Sequence, residues 1–219
     1  MDNNLTEDLP AATQKILASK TGANPDQVAQ RAIADGTVLR GILKGILSKA
    51  DAYRYNCFKV LLQIGENQPE LLYPEWDYFF GLLRSDNSYH RSMGLQLIAS
   101  LTRVDTEKRF EAIFDPYFDL LDDESMITAR YLARNAGKIA RAKPDLQRRI
   151  TARLLGIDQT HHDQSGKDLI NADAIQSFAD FFAASPDKTK ILALVEAQLQ
   201  CSSSKTREAA KEFLGEYAQ

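Results

Sequence analysis

Apolar residues along this chain recur at intervals of three and four positions, and they rarely alternate with polar ones. Spacings of three and four place side chains on one face of an α-helix, whereas alternation is typical of a half-buried β-strand. Helix-start signals accompany the pattern, most clearly at Asn24-Pro25-Asp26, where an N-cap residue precedes a proline at the first helical position. The pattern therefore predicts an all-α protein.

One helical pattern repeats along the chain. A starting residue, most often arginine, is followed by small or apolar residues at positions +3, +7 and +10. The starting residues are Arg54, Arg91, Ala129, Asp168 and Arg207, at intervals of 37, 38, 39 and 39 residues. The helices that precede them keep the same register, because Trp76, Phe79, Phe80 and Leu83 align with Phe114, Tyr117, Phe118 and Leu121 at an offset of 38. Such regularity indicates an internal repeat of two helices per unit.

Three of these segments resemble the second helix of a HEAT repeat: RSMGLQLIASL at 91–101, ARYLARNAGKIA at 129–140 and TREAAKEFLGEYA at 206–218. Pro116, within a first helix, is similar to the helix-A proline of that family. The resemblance implies a right-handed α–α superhelix, or solenoid, formed by residues 36–219 as one continuous domain. Its five units are predicted at about 36–66, 69–104, 106–142, 144–184 and 186–219. Residues 1–35 are predicted to form a helical pair that caps the first unit.

One connection differs from the others. Residues 156–167, GIDQTHHDQSGK, form a long polar stretch between the two helices of the fourth unit. Long insertions within repeats tend to be exposed. We interpret His161-His162-Asp163 in this stretch as a solvated loop, since no cysteine or further histidine nearby completes a set of metal ligands. The acidic run Asp122-Asp123-Glu124 is interpreted as capping the helix that follows it.

The resemblance also indicates which side chains face a partner. The second helices of HEAT repeats line a concave surface. The residue directly after each starting residue is expected to point outward, and so are the residues 4, 8 and 11 positions after that one. The residues expected to contact a partner are Lys59, Gln96, Arg103, Arg130, Arg134, Lys138, Arg141, Asp173, Asp180, Glu208 and Glu212. They predict a groove that is mixed in the first two units, basic in the third and acidic in the last two.

The third unit carries what we call the basic stripe, which consists of Arg130, Arg134, Lys138 and Arg141 on one helix face. Guanidinium groups bind carboxylates and phosphates through paired hydrogen bonds, so an acidic or phosphorylated segment of a partner fits this stripe. A second interpretation is that the stripe pairs with the next helix, since Arg134 aligns with Asp173 and Arg141 with Asp180. The sequence leaves both interpretations open.

Composition narrows the function further. The formal net charge of −3 argues against a general nucleic-acid-binding protein, which usually carries a basic excess. Only two cysteines occur, and residues 1–9 show no basic and apolar leader pattern, so we expect a cytoplasmic protein without a membrane span. No nucleophile motif, glycine-rich phosphate loop, metal site or cofactor site is predicted.

The sequence thus predicts a noncatalytic protein-interaction module or scaffold without an enzymatic activity. The alternative is an enzyme that acts on DNA. Some DNA glycosylases that excise alkylated bases have a HEAT-like fold, and Trp76-Asp77 with the basic stripe superficially resembles their groove. Against this alternative, Trp76 follows the spacing of core residues, and the acidic last units repel a phosphate backbone.

Overall fold

The computed structural model describes residues 9–19 and 24–217, and this part of the chain is all-helical, as the hydrophobic pattern predicts. No β-strand occurs within it, and none of its helices is long and apolar enough to cross a membrane. Most of the polar N-terminal segment, residues 1–8, lies outside the described residues. The α-helices are α1 (Ala11–Ala18), α2 (Pro25–Ala34), α3 (Gly36–Gly45), α4 (Asp51–Asn67), α5 (Trp76–Leu82), α6 (Ser88–Leu101), α7 (Arg109–Phe118), α8 (Met126–Ala142), α9 (Gln147–Leu155), α10 (Gln164–Ala179), α11 (Lys188–Ala197) and α12 (Ser204–Tyr217).

Side-chain caps fix the starts of several helices. Asn24 Oδ1 accepts hydrogen bonds from the backbone N–H groups of Asp26 and Gln27, at 3.1 and 3.2 Å, and Pro25 is the first residue of α2, as predicted. Asp35, Asn87 and Asp163 cap α3, α6 and α10 in the same manner. These caps satisfy backbone donors that have no partner inside the helix.

The even-numbered helices from α4 to α12 pack on one another in chain order, so that α4 contacts α6, α6 contacts α8, α8 contacts α10 and α10 contacts α12. On this row lie α3, α5 and α11, which pack on α4, α6 and α12 respectively. The short 3-10 turn Asp119–Asp122 that follows α7 packs on α8. At the N-terminal end, α1 and α2 both contact α4.

The repeated apolar positions form the core, as the spacing predicts. The residues at +3, +7 and +10 from the first four starting positions are buried: Cys57, Leu61, Ile64, Gly94, Ile98, Leu101, Leu132, Ala136, Ile139, Asn171, Ile175 and Phe178. Of the corresponding three residues in α12, Ala210 is fully buried, whereas Leu214 and Tyr217 are half-buried. No later helix packs on α12 within the described residues, which accounts for the difference.

Aromatic side chains fill the space between α7 and its neighbours. Phe114 and Phe118 stack at a centroid distance of 4.6 Å, and Phe110 meets Tyr117 edge to face at 5.2 Å. The Tyr117 hydroxyl is buried and donates to the Leu95 carbonyl at 2.9 Å. Pro116 lies inside α7, as predicted.

The prediction of an exposed insertion at 156–167 is wrong in part. Ile157 begins a 3-10 turn with its side chain buried, and α10 already starts at Gln164. His162 and Gly166 are buried as well. The polar composition of the stretch concealed the burial of His162, whose ring packs against the turn Asp119–Asp122, whereas most of the other polar side chains of the stretch are exposed as expected.

Candidate functional site

The structure places the predicted partner-contacting residues in three different environments: exposed, half-buried and buried. Arg103, Arg134, Arg141, Asp180, Glu208 and Glu212 are exposed, and Lys59, Arg130 and Lys138 are half-buried. Gln96 and Asp173 are buried, so for these two residues the expectation of an outward-facing side chain is wrong. Gln96 donates back to the Ser92 carbonyl at 2.8 Å, and residues 92–101 of α6 are all buried, because α4, α5 and α8 surround that helix.

Asp173 on α10 is the centre of a cationic cluster. Its carboxylate is 2.7 Å from Arg130 Nε, 2.6 Å from a terminal nitrogen of Arg134 and 3.7 Å from Lys205 Nζ. The Asp173 side chain has no exposed surface, whereas those of Arg134 and Lys205 are 46% and 45% exposed. One buried carboxylate thus holds three cations from α8 and α12, which leaves a local charge of two positive units.

Apolar side chains flank this cluster on α8. Ile127, Arg130, Tyr131 and Arg134 line a shallow concavity of about 310 Å³. Ile127 is exposed, and the Arg134 guanidinium lies 5.9 Å from the centre of the Tyr131 ring. The concavity therefore combines exposed guanidinium donors with an aliphatic and an aromatic surface.

The other half of the basic stripe faces a second concavity, of about 280 Å³, between the C-terminal ends of α4, α6 and α8. Lys138 pairs there with Glu66 of α4, and Arg141 lies 3.6 Å from Asp180 of α10. Arg103 is on the same wall and has no ion pair among the described residues. The pairing of the stripe with neighbouring helices, which the sequence left open, is therefore present.

The arginines that start the repeat have a structural role that sequence reasoning missed. Arg54, Arg91 and Arg207 each donate at 2.8 Å to the backbone carbonyl six residues upstream, at Ser48, Ser85 and Cys201. Each guanidinium therefore closes the turn that leads into its own helix. The only sequence signal for this role is the fixed distance between the arginine and the turn.

Arg91 also reaches the connection between α7 and α8. It forms two hydrogen bonds to Asp123, at 2.6 and 2.8 Å, and Asp123 in turn accepts from the Ser125 N–H. This side chain thus orders the turn before α8. The interpretation of Asp122-Asp123-Glu124 as a helix cap is wrong, because α8 starts after Ser125 without a side-chain cap and has no acidic residue in its first turn. Asp122 has a different neighbour, since its carboxylate contacts His161, 39 residues further along the chain.

The residues of the glycosylase alternative do not join the basic stripe. Trp76 is buried in the core, and Asp77 pairs with Arg109 of α7 rather than with a residue of α8. The Arg109 guanidinium lies 5.6 Å from the centre of the Trp76 ring and 5.8 Å from that of Tyr73. Tryptophan, carboxylate and arginine here form a packing contact between α5 and α7.

No protein-family model matches the chain, and no curated protein sequence gives a significant match. Among solved structures, the crystal structure of an engineered protein is similar, with a TM-score of 0.51 over 94% of this chain and 96% of that protein. The two sequences are 15% identical, so the similarity concerns the fold alone.

Proposed function

We propose that this chain is a noncatalytic protein-interaction module with HEAT-like superhelical architecture. Its proposed binding surface is the face of α8 that carries Ile127, Arg130, Tyr131 and Arg134, and its proposed partner is a protein segment with acidic residues beside an apolar one. The module would work by holding this segment, without a cofactor or a chemical step. The free cysteines, Cys57 and Cys201, fit a reducing compartment, and we assign the module to the cytoplasm.

The order of packing supports the architecture. The helices that carry the repeated pattern form one row, and the pattern recurs every 37–39 residues. A row of equivalent helices places corresponding side chains side by side, which is how stacked repeats create an extended binding surface. The all-helical fold shared with the engineered protein is compatible with this arrangement.

The observation that carries the proposal is the excess of cations around Asp173. Arg130 alone balances this buried carboxylate, yet Arg134 and Lys205 point to the same place with nearly half of each side chain exposed. Arg134 contacts Asp173 through a single nitrogen, so its remaining donors are available to a second carboxylate. Charge-assisted hydrogen bonds of this kind are about twice as strong as neutral ones.

The neighbours of Arg134 define the rest of the partner. Ile127 and Tyr131 border the guanidinium and offer apolar surface to a side chain that follows or precedes the acidic residue. An extended phosphate backbone fits less well, because exposed Asp180, Glu208 and Glu212 repel it on the neighbouring helices. A short acidic peptide avoids this repulsion by contacting the cationic cluster alone.

The test is a selection of peptides from a random display library on the purified protein, followed by anisotropy measurements with the enriched peptides. The informative variant combines Arg134→Gln with Lys205→Gln, which removes both surplus cations and keeps Arg130 to balance Asp173. We expect peptides rich in Asp or Glu beside an apolar residue, with binding weakened about tenfold or more by the double substitution.

The matched control combines Arg148→Gln with Lys211→Gln, which removes the same charge from exposed positions on α9 and α12. This control should bind the peptides like the unmodified protein. If both double variants weakened peptide binding equally, the effect would be explained by net charge, and the proposed binding surface on α8 would be refuted. Salt-sensitive binding of a duplex oligonucleotide through Arg134 and Lys205, without binding of acidic peptides, would replace the proposal by a nucleic-acid partner.

A further inference from the structure

Two turns from neighbouring helix pairs meet at one edge of the molecule. Asp122 lies in the connection between α7 and α8, and His161 and His162 lie in the connection between α9 and α10. His161 Nδ1 is 2.6 Å from Asp122 Oδ1, and the centres of the two imidazole rings are 4.4 Å apart. One ligand atom from each of the three residues lies within 4.8 Å of the others.

The backbone holds these side chains in position. The His161 N–H donates to Asp122 Oδ1 at 2.7 Å, which fixes the carboxylate against the turn of the next unit. His162 is buried, and its Nε2 lies 3.2 Å from the carbonyl oxygen of Leu121.

We propose that Asp122, His161 and His162 bind one divalent transition-metal ion, with Zn²⁺ as the best fit. Two imidazoles and a carboxylate form a ligand set that suits zinc, whereas calcium and magnesium prefer oxygen ligands alone. A backbone carbonyl beside the ring of a ligating histidine is a common orienting partner, and the Leu121 carbonyl occupies that place for His162.

The distances agree with this ion after small side-chain rotations. Zinc–nitrogen and zinc–oxygen bonds of about 2.0–2.2 Å place tetrahedral ligands about 3.3 Å apart. The distance of 2.6 Å between His161 Nδ1 and Asp122 Oδ1 must therefore increase. Any of the three ligand-atom distances that lies nearer the upper limit of 4.8 Å must decrease. The side chains of Asp122 and His161 are 55% and 53% exposed, so they can move and water can take the fourth position.

The ion would connect the connecting turns of the third and fourth units. Asp122 and His161 are 39 residues apart in the sequence. The same interval separates Ala129 and Asp168, from which the repeated pattern is counted in α8 and α10. Bound metal stabilises the folded state when the unfolded chain cannot bring the ligands together. It would therefore secure α10 against α8 near the proposed peptide surface without forming part of that surface.

The test uses tag-free protein treated with a chelator and then titrated with ZnCl₂ by calorimetry and with CoCl₂ by absorption spectroscopy. We expect one ion per chain, a visible Co²⁺ band of low-symmetry coordination and a rise in melting temperature with Zn²⁺. His161→Ala and Asp122→Asn should each weaken Zn²⁺ binding by about tenfold or more and abolish the thermal shift. Both substituted side chains are largely exposed, so circular dichroism should show an unchanged fold.

His90→Ala is the matched control, because His90 is the one histidine outside the proposed site, and its Nδ1 lies 3.1 Å from Ser85 Oγ, outside the group of three ligand atoms. It should bind Zn²⁺ like the unmodified protein. The proposal is wrong if the unmodified protein gives neither heat with ZnCl₂ nor a Co²⁺ band at micromolar concentrations. It is equally wrong if His161→Ala and Asp122→Asn bind the ion as tightly as His90→Ala.

Discussion

Asp105 shows how a single buried carboxylate organises this fold. It accepts hydrogen bonds from the N–H groups of Arg109 and Phe110 at 2.9 and 3.0 Å and from the Tyr73 hydroxyl at 2.7 Å. Lys143 Nζ lies 2.8 Å from the same carboxylate. Burial acts to raise the pKa of Asp105, but the hydrogen bonds, led by that of Lys143, outweigh burial and lower the pKa below its usual range.

We expect Asp105→Asn to lower the free energy of unfolding by about 2–3 kcal/mol at neutral pH, because Lys143 loses its buried counterion. A carboxyl group with a lowered pKa in the folded state stabilises the protein above its unfolded pKa of about 4 and loses this effect as pH falls through the folded value. The difference between the two proteins should therefore shrink below about pH 4. Urea unfolding at a series of pH values measures it.

Asp115→Asn serves as the control, since Asp115 is exposed and pairs with the exposed Arg149 at 3.2 Å. Such a pair contributes about 0–1 kcal/mol, so the control should remain close to the unmodified protein. A loss of stability in Asp105→Asn that stays constant from neutral to acid pH would contradict the role assigned to the ionised carboxylate.

At the scale of elements, α8 and α10 share the most extensive helix–helix contact in the described part of the chain. Gly137 permits this approach, because a Cβ atom at this position would lie 2.5 Å from the Ser177 backbone carbonyl and 2.5 Å from Asp180 Oδ2. The Gly137 N–H also donates to Ser177 Oγ at 3.1 Å, and Ser177 Oγ donates to the Ala133 carbonyl at 2.5 Å. The two helices thus meet through backbone atoms and one serine.

Gly137→Ala should destabilise the protein by about 1–3 kcal/mol, since α8 and α10 must separate to accept the methyl group. Gly81→Ala is the matched control within α5, where a Cβ atom would have no neighbour within 4 Å. That control should stabilise the protein by up to about 1 kcal/mol, because alanine restricts the unfolded chain. Chemical denaturation of both variants provides the comparison, and equal effects would refute the packing argument.

The elements and the core were predictable from the sequence, because a spacing of three and four residues reports which face of a helix is buried. Leu61, Ile98 and Leu132 occupy the core as expected for that reason. Burial of polar residues was not predictable in the same manner. Asp173 and Gln96 share the register of exposed positions, and their burial depends on how closely the next helix in the row approaches.

Contacts between units were the least predictable part of the candidate sites. The three cations around Asp173 come from two neighbouring helices, and His161 meets Asp122 across 39 residues. The internal alignment of the repeated segments placed Arg134 beside Asp173, because both lie five residues after a starting residue. It gave no such indication for Lys205, which lies in the first turn of α12, outside the outward-facing positions.

At the scale of the whole molecule, α4 and α8 approach each other although α6 lies between them in the row. Lys138 of α8 pairs with Glu66 of α4, 72 residues away, and both line the concavity of about 280 Å³ with Arg103 and Arg141. Three cations and one acid thus share this space. The single Glu66 carboxylate reduces the repulsion between the ends of three helices.

We expect Glu66→Lys to separate the C-terminal ends of α4 and α8, because it places a fourth cation in this concavity. The measurement uses pulsed electron paramagnetic resonance on spin labels attached to Gln68→Cys and Asp145→Cys, both at exposed positions. A Cys201→Ser background leaves buried Cys57 as the one other cysteine, and the distance between the two labels reports the separation of the helix ends. The distance distribution should lengthen at low salt and return toward that of the unsubstituted protein at high salt.

Glu70→Lys makes the same charge change at a nearby exposed position, and it should leave the distribution unchanged. Identical distributions for Glu66→Lys and Glu70→Lys at low salt would contradict this account. The free energy of unfolding should change by no more than about 1 kcal/mol in either variant, since the Glu66–Lys138 pair is partly exposed.

The enclosure of α6 also determines the order in which the molecule comes apart. Ten consecutive residues of this helix are buried, and each of its amide groups can meet water only after a neighbouring helix has left. Among the described residues, α1 and α12 lie at the two ends of the helix packing, so fluctuations begin there and proceed inward. Helix α6 is therefore the last part of the described chain to lose its structure and the part whose backbone is best protected from proteases.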